Sequence, residues 1–298
     1  MIDYTALTEP YDRRAGEALA LRLRATVPTR RTLGGMGVFI DVFGGFAFIL
    51  GFIALFPIGV VQLVLAIIAG NGEMIGVGIT MIVFGAGFGA FAYWLLKRYV
   101  RRTGSPELWW RLDRFATANG LVFAPFSPSP AFPSAMFSAA PGAATYSHIR
   151  RDGDDFINIG NLLYQTGKRG NETIEKRWGF VAIRLEQKWP AMLLDSTKNN
   201  PLGMNGIPLD LAGTTRLKLT GSGAETFDLF GKSGDRKRGL EVFSPTLIEA
   251  LSSGSRPYDV HLVDDWMFIL SRTEFAMDDP TLLAELFGYI DLVRAAGL

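Results

Sequence analysis

The side chains that most often carry enzymatic chemistry are few and scattered in this sequence. It contains no cysteine and only two histidines, His148 and His261. The absence of cysteine excludes disulfides, thiolate catalysis and cysteine-ligated metal centres. Ser-His-Asp catalysis would have to use one of the two histidines, and no G-x-S-x-G nucleophile elbow accompanies them. We expect His261, which lies between Val260 and Leu262 in a predicted strand, to be a structural histidine with its hydrogen bonds satisfied.

The sequence predicts neither a metal site nor a phosphate loop. Two histidines without cysteine do not build the usual zinc site, and no H-E-x-x-H motif is present. Asp264-Asp265 has the spacing of a hairpin turn, in which aspartate is favoured for local hydrogen bonding. Gly231-Lys232-Ser233 has the ending of a phosphate loop, but Thr226 stands where that pattern needs a glycine. We predict no catalytic, cofactor-binding or metal-binding residues, and interpret the stretch through Arg236-Lys237-Arg238 as a flexible basic loop.

The feature around which the chain is organised is an almost uninterrupted apolar stretch from Val38 to Leu96, broken only by Asn71-Gly72-Glu73. A helix needs roughly 20 apolar residues to cross a bilayer, so one span fits on each side of the break. The first span is longer than one upright helix needs and contains Pro57, so we expect it to tilt, to kink or to leave one end in the interface. The sequence predicts a transmembrane helical hairpin over residues 37–97.

Arginine and lysine flank the apolar stretch and avoid its turn. Six arginines precede it, four cations follow between residues 97 and 102, and the turn holds Glu73 and no cation. Short flanking segments rich in cations stay in the cytoplasm, so we predict an inner-membrane protein that crosses the membrane twice, with both termini cytoplasmic. We interpret residues 1–36 as a cytoplasmic basic segment, either an orienting tail or a short helix on the inner leaflet.

Few residues within the spans suggest a function of their own. Asp41 lies near the start of the first span and Gln62 lies within it, which barely provides the polar contacts of an ion pathway. Gly85 and Gly89 form a G-x-x-x-G pair, which lets helix backbones approach closely. We expect this pair to pack the two spans against each other rather than to form a dimer.

Residues 105–298 are predicted to form a cytoplasmic α+β domain. Ser105-Pro106 begins a helix that ends at Asn119-Gly120, and Asp279-Pro280 begins a C-terminal helix. Short runs rich in β-branched and aromatic residues, bounded by Gly, Asn and Pro, are typical of strands. The predicted strands are 121–126, 155–165, 177–185, 191–195, 215–220, 225–230, 259–263 and 266–272. We expect the last two strands to form a hairpin about Asp264-Asp265. We also predict a helix over residues 244–251 and a loop over residues 127–142.

The predicted fold is therefore a two-span membrane α-helical hairpin followed by a soluble α+β domain with a mostly antiparallel sheet and a C-terminal helix. After Gly104 the chain carries 20 Lys and Arg against 23 Asp and Glu. A nucleic-acid groove needs a strong positive field, so nucleic acid is not an expected partner. We expect the lipid bilayer and a protein as partners, with anionic lipid headgroups at the juxtamembrane Arg and Lys as a further candidate.

Eight short motifs follow one another through the domain: Phe115-Ala116-x-x-Asn119-Gly120, Pro141-Gly142, Gly160-Asn161-x-x-Tyr164, Gly179-Phe180-Val181-Ala182-Ile183, Pro190-Ala191-Met192-Leu193-Leu194-Asp195, Phe227-Asp228-Leu229-Phe230, Phe243-Ser244-Pro245 and Asp264-Asp265-Trp266. In this order the chain resembles uncharacterised two-span membrane proteins of actinobacteria. From Thr214 onward it is also similar to a broader bacterial membrane domain of unknown function. The resemblance implies an inner-membrane location and supplies no activity or catalytic residue.

Three classes of function remain open from the sequence. The first, which we prefer, is a noncatalytic membrane-tethered binding or scaffold domain. The second is a membrane-associated enzyme with a carboxylate or hydroxyl site that no motif reveals. The third is an oligomeric channel or transporter accessory protein built from the hairpins, for which Asp41 and Gln62 provide little.

Overall fold

The structure is a computed structural model, which describes residues 2–24, 54–102, 105–128, 130–138, 142–169, 172–199, 213–219 and 221–298. The chain divides into two compact units. One consists of Met1–Val27 with Pro106–Leu298, and the other of Pro28–Ser105. The beginning of the predicted first span, with Asp41, lies outside the described residues.

The Pro28–Ser105 unit contains two helices in its described part, α3 (Ala54–Ala69) and α4 (Gly72–Arg102). Within α4, Gly72–Phe91 is long and apolar enough to span a membrane, with a mean hydropathy of 1.9. The other helix is apolar but shorter. Gly70 adopts a left-handed conformation with φ 64°, and the Asn71 side chain accepts a hydrogen bond of 3.3 Å from the backbone N–H of Met74. The predicted tight turn is therefore confirmed.

The two helices pack against each other through glycines. A methyl group at Gly85 would lie 2.6 Å from the backbone nitrogen of Phe56, and one at Gly78 would lie 3.0 Å from the Cα of Leu63. The later glycine, Gly85, faces the earlier residue Phe56, and the earlier glycine, Gly78, faces the later residue Leu63. The two helices are therefore antiparallel. A methyl group at Gly89 would meet no described atom within 4 Å. Gly85 of the predicted glycine pair therefore lies at the contact between these helices.

The N-terminal residues pack onto the domain that follows the apolar stretch. Two helices, α1 (Thr5–Thr8) and α2 (Arg13–Arg24), lie against α5 (Pro106–Ala118). The Tyr4 ring stacks on Phe115 with centroids 5.7 Å apart, and the Tyr11 ring contacts Trp110 edge-on at 5.6 Å.

The described part of the segment interpreted as basic (residues 1–36), residues 2–24, therefore packs on the domain. Leu7 and Ala20 are 3% and 2% exposed, and they belong to the same hydrophobic core as Phe115. The buried side of α2 is formed by Gly16, Leu19 and Ala20, and Leu23 is partly buried against the same core. The sequence could not predict this, because the aromatic partners on α5 lie about a hundred residues away.

The predicted helix after Ser105 is confirmed, and one of its faces is buried. Leu108, Trp109, Leu112, Phe115 and Ala116 are all buried. The helix ends before Asn119 and Gly120, and Gly120 has a φ of 64°, the left-handed conformation that glycine adopts at least cost.

Seven strands form one sheet in which every pairing among the described strands is antiparallel. The strands are β1 (Val122–Pro128), β2 (Ala144–Arg151), β3 (Ile157–Arg169), β4 (Glu172–Ser196), β5 (Thr215–Leu217), β6 (Phe227–Gly231) and β7 (Asp259–Ser271). Their order is β1-β2-β3-β4-β6-β5, and β7 pairs with the other edge of β4. The predicted α+β domain with a mostly antiparallel sheet is confirmed.

The long strand β4 joins two predicted strands into one. It pairs with β3 through its first half, with β6 through its last residues, and with β7 from Gly179 to Leu194. The polar residues before Pro190 suggested a break, but the strand continues because its pairing with β7 shifts register on both sides of Trp189.

The hairpin predicted about Asp264-Asp265 is wrong, because β7 runs through both residues as one strand. Asp264 has a φ of 50° and lies opposite Trp189, where the register of the β4–β7 pair shifts. Residues that favour left-handed backbone therefore mark a bulge rather than a turn.

Alternate residues of β4 and β7 face two separate cores. Val181 and Met267 lie in the core that also contains helices α5, α8 (Pro245–Ser253) and α9 (Pro280–Ala295). Phe180 and Phe268 lie in the other, which is covered by Phe132 and by Phe137 of the short helix α6 (Ala135–Ser138). Both faces of the sheet are therefore buried, as the period of two in a strand allows.

The predicted starts of the last two helices are confirmed by their caps. The Ser244 hydroxyl accepts a hydrogen bond from Leu247 N–H, and the Asp279 carboxylate accepts two from Thr281 and Leu282 N–H. The segment predicted as a flexible basic loop instead contains a helix, α7 (Arg236–Val242). Within it, Arg238 donates a 2.7 Å hydrogen bond to the Lys188 carbonyl and lies over the Trp189 ring at 4.8 Å.

Candidate functional site

Among the side-chain arrangements of the domain, the one best suited to catalysis is a hydrogen-bonded chain of Ser127, His148 and Asn158. The Ser127 Oγ lies 2.9 Å from His148 Nε2, and His148 Nδ1 lies 3.0 Å from Asn158 Oδ1. The three residues belong to the neighbouring strands β1, β2 and β3. The sequence places them within 32 positions of one another, but only strand pairing brings their side chains together.

A bulge in β2 positions the histidine. The register of the β2–β3 pair shifts between Tyr146 and Ile149, and Ser147 is forced to a φ of 45°. The opposite strand leaves room with Gly160, since a methyl group there would overlap the Cβ of His148. The position of His148 therefore depends on the left-handed backbone of Ser147 and on Gly160, where no larger residue fits.

The hydrogen bonds fix the protonation of the imidazole. The amide oxygen of Asn158 can only accept, so Nδ1 carries the hydrogen and Nε2 presents its lone pair to the Ser127 hydroxyl. The side chain of His148 is buried, which lowers its pKa to about 4, and the nearby Arg150 acts in the same direction. The imidazole is therefore neutral at physiological pH.

This geometry matches the relation of nucleophile, base and orienting group in serine hydrolases. Ser127 is half-buried, so its hydroxyl is partly open to solvent, whereas the base is enclosed. Burial disfavours the imidazolium that proton transfer would create, and a neutral amide offers it less stabilisation than a carboxylate would. The hydrogen-bonded chain of Ser127, His148 and Asn158 is well suited to holding three strands together and only weakly suited to general-base chemistry.

The second histidine also bonds to a serine. His261 Nδ1 lies 3.0 Å from Ser134 Oγ, and both residues are buried, at 8% and 0% exposure. Burial lowers the pKa of His261 to about 4. The pair joins β7 to the segment that covers the second core, as expected for a histidine whose hydrogen bonds are satisfied.

A buried group of two carboxylates and one arginine joins β4 to β7. Asp259 is fully buried and accepts hydrogen bonds from Ser196 N–H at 2.8 Å, from the Asn199 side chain at 3.0 Å and from Arg272 Nε at 3.4 Å. The same arginine lies 3.6 Å from Asp195. Burial raises the pKa of Asp259 to about 6 despite these donors. No spacing in the sequence indicated this group, because its members meet only through strand pairing.

Asp264 and Asp265 do not meet further metal ligands. Asp265 forms an ion pair of 3.1 Å with Arg184 on the neighbouring strand. Among the described residues, no group of three or more His, Asp or Glu side chains has the arrangement of a metal site.

Two cavities lie near α8 and the loop that follows it. One of about 200 Å³ is lined by two cations, but Lys198 donates to the Ser252 carbonyl at 2.8 Å and Arg256 to the Glu274 carbonyl at 3.2 Å. The other, of about 480 Å³, is lined by Glu285 and Tyr289, which bond each other at 2.7 Å. Each of these four side chains therefore has a hydrogen-bond partner within the protein.

The fold and these sites define the class of the protein as an α+β domain built on an antiparallel sheet, in a chain that also carries an apolar membrane-spanning candidate. No family model and no curated protein matches the chain. Among solved structures, the crystal structure of the mycobacterial trehalose monomycolate transport factor A, TtfA, matches with a TM-score of 0.43 and 9% sequence identity, over 63% of this chain and 93% of that chain. A likeness at this level assigns no activity, so function must be argued from the chain itself.

Proposed function

We propose that the protein is a membrane-anchored binding or scaffold module, with a two-span helical hairpin that tethers an α+β domain to the cytoplasmic face of the inner membrane. The observation that carries this proposal is that residues before and after the apolar stretch share one hydrophobic core. Leu7 and Ala20 from the first flank are buried with Leu112 and Phe115 from the second.

A shared core restricts the path of the chain between its parts. The two flanks cannot pack together through a bilayer, whose interior leaves polar backbone and charged groups unsatisfied. Both flanks must therefore lie on one side, and the segment between them crosses an even number of times. With Gly72–Phe91 as one crossing, the apolar residues from Val38 to Gly70 supply the other. The cations that flank the stretch favour the cytoplasm as that side.

The binding role follows from where the polar chemistry of the domain lies. Both faces of the sheet are covered by the chain itself, and the polar groups of the two cavities bond within the protein. Recognition therefore falls to the outer surface of the domain. A surface held next to the membrane by a fixed anchor suits a protein that positions a partner.

Because the chain has no cysteine, single cysteines test the topology without background. We would place one at Thr8, one at Gly72 and one at Ser233, and label intact cells with a membrane-impermeant maleimide. The expected pattern is labelling at position 72 alone, with positions 8 and 233 labelled only after lysis. Opposite accessibility of positions 8 and 233 would refute the shared side, and identical accessibility of all three would refute the hairpin.

The binding role is tested separately on the full-length protein. After purification in a gentle detergent, a partner recovered at fixed stoichiometry from the wild type and lost after charge reversal on the domain surface supports a scaffold. A protein that purifies alone from cross-linked cells as well as from native membranes contradicts it.

A second candidate function, acyl transfer, rests on the geometry of the Ser127–His148–Asn158 chain, although burial makes His148 a weak base. Ser127 Oγ would attack an ester carbonyl while His148 Nε2 takes its proton and then passes it to the departing alcohol, and water would release the acyl group by the reverse relay. A fluorophosphonate probe applied to the intact protein tests this. Labelling that Ser127→Ala abolishes and Ser134→Ala preserves supports acyl transfer, whereas no labelling in the folded protein excludes it.

A further inference from the structure

Helix α2 has an outer face whose composition differs from that of an ordinary solvated helix. Its inner face is fixed on the domain by Gly16, Leu19 and Ala20, all buried. The opposite face, at the spacing i, i+4 and i+7, carries Arg14, Ala18 and Leu21.

Leu21 is the most exposed large hydrophobic residue of the described domain, at 71%, followed by Val122 at 48%. An exposed leucine on a surface helix is ordinary when isolated. This one lies beside an alanine on a helix with four arginines and one glutamate, so its surroundings are mainly cationic.

The arginines of α2 differ in what they face. Arg13 pairs with Glu17 at 2.8 Å. Arg22 is exposed, but it lies near Asp113, whose pKa is raised by burial and partly lowered by the charge of this arginine. Arg14 and Arg24 are exposed, and no ion pair among the described residues includes them. Two cations are therefore presented outward together with Leu21.

We infer that this outer face of α2, formed by Arg14, Ala18, Leu21 and Arg24, is a docking surface for an anionic lipid bilayer. The inference rests on the proposed membrane anchor. The helix ends at Arg24, and the apolar stretch begins only 14 positions later, at Val38, after two further arginines. Arginine close to an anionic leaflet gains about 1 kcal/mol per side chain, or about fivefold in partitioning. The leucine adds an apolar anchor at the acyl boundary.

The consequence is that α2 fixes the orientation of the whole domain on the membrane. Since the helix shares the core of the domain through Leu19 and Ala20, it cannot move onto the lipid alone. The bilayer therefore meets a face that the domain holds rigid, rather than a free basic tail.

The test uses the full-length protein in nanodiscs. Leu21→Cys and, as a control, Asp154→Cys on the exposed loop between β2 and β3 are each labelled with an environment-sensitive fluorophore. In discs that contain phosphatidylglycerol, the emission at position 21 should shift to the blue and be quenched by doxyl-labelled lipid, and the emission at position 154 should not change. In discs of phosphatidylcholine alone the shift at position 21 should be lost.

Charge reversal separates a local surface from bulk attraction. Arg14→Glu with Arg24→Glu should abolish the quenching at position 21, whereas Lys218→Glu with Lys237→Glu, an equal change in net charge at two other exposed sites, should preserve it. Equal losses in the two variants, or a label at position 21 that stays in water in anionic discs, would overturn the inference. If the three-cysteine labelling still gives the expected pattern, only the lipid contact falls and the anchored topology stands.

Discussion

Asp3 and Asn119 exchange two hydrogen bonds across 116 residues of sequence. The backbone N–H of Asp3 donates to Asn119 Oδ1 at 2.7 Å, and Asn119 Nδ2 donates back to the Asp3 carbonyl at 2.8 Å. Between these two residues lies the entire apolar stretch. The pair therefore ties the segment before the apolar stretch to the end of the first helix after it, and the arrangement predicts that the N-terminus stabilises the domain.

Replacing one buried leucine of the N-terminal segment should destabilise the domain. Leu7→Ala leaves a cavity in the shared core and is expected to lower the free energy of unfolding by about 2–5 kcal/mol. Leu21→Ala, an identical substitution at an exposed position, should change it by less than about 0.5 kcal/mol. Urea unfolding of the detergent-solubilised protein, followed by tryptophan fluorescence, measures both. Equal effects would mean that the N-terminal helices do not belong to the core.

The packing of α3 on α4 should depend on which glycine is replaced. Gly85→Leu places a side chain against the backbone of Phe56 and should separate the helices, whereas Gly87→Leu enters space in which a methyl group meets no described atom within 4 Å. Spin labels on Ile58→Cys and Val83→Cys, two exposed positions, report the distance between α3 and α4 by double electron–electron resonance. A longer or broader distance distribution is expected for Gly85→Leu alone. The same distribution in both variants would contradict the glycine contact.

The free energy of unfolding should fall on acidification below about pH 6.5. His148 and His261 have pKa values lowered from 6.5 to about 4, so the stability they contribute is complete above pH 6.5 and lost toward pH 4. Asp259 acts in the opposite sense, because its pKa is raised from 3.8 to about 6 and the folded protein gains its proton first. Between pH 6 and pH 4 the two histidines and Asp259 together take up about one proton on unfolding, and these three groups contribute a slope of about 1.4 kcal/mol per pH unit.

Variants assign that slope to the residues. His148→Gln should make the dependence of the unfolding free energy on pH shallower, and Asp259→Asn should make it steeper. Urea titrations at pH 7.5, 6.0 and 5.0 give the slopes. A stability that rises on acidification would show that the carboxylates dominate and that the two histidines are not held neutral by burial.

The space opposite His148 should accept only glycine. Gly160→Ala drives a methyl group into the histidine Cβ and is expected to cost about 1–3 kcal/mol, with disruption of the Ser127–His148–Asn158 chain. Gly288→Ala, in the interior of α9 with no described atom within 4 Å of the added methyl, should stabilise by up to about 1 kcal/mol. Thermal unfolding compares the two, and the imidazole proton resonances of His148 report on the chain itself. An intact pattern of these resonances in Gly160→Ala would contradict the steric account.

Several helices and one turn could be predicted from the sequence because they depend on interactions between near neighbours. The helix after Ser105 followed from its cap, its apolar spacing and the Asn119-Gly120 ending, and the last two helices followed from the Ser-Pro and Asp-Pro starts. The tight turn before α4 followed from a glycine and an asparagine between two apolar runs. Each of these signals depends on residues that lie within a few positions of one another, so it can be recognised in the sequence alone.

Strand continuity was less readable, since β4 and β7 run through positions whose residues favour turns. Pro190 and Asp264-Asp265 suggested breaks, but a paired neighbour tolerates such residues at a bulge. Strand β2 was missed altogether. Its polar and aromatic residues carry no clear alternation, partly because Ser147 inserts an extra residue into the pairing.

The sequence by itself determined the apolar stretch, its flanking charges, the helix caps and the class of the domain, because these depend on composition and on near neighbours. Only the tertiary structure decided that Leu7 packs with Phe115, that Ser127, His148 and Asn158 form one chain, and that Asp259 meets Arg272 in the interior. These contacts join residues from 10 to more than 100 positions apart. Their free energy depends on burial and on strand register, which exist only after the separate segments have come together.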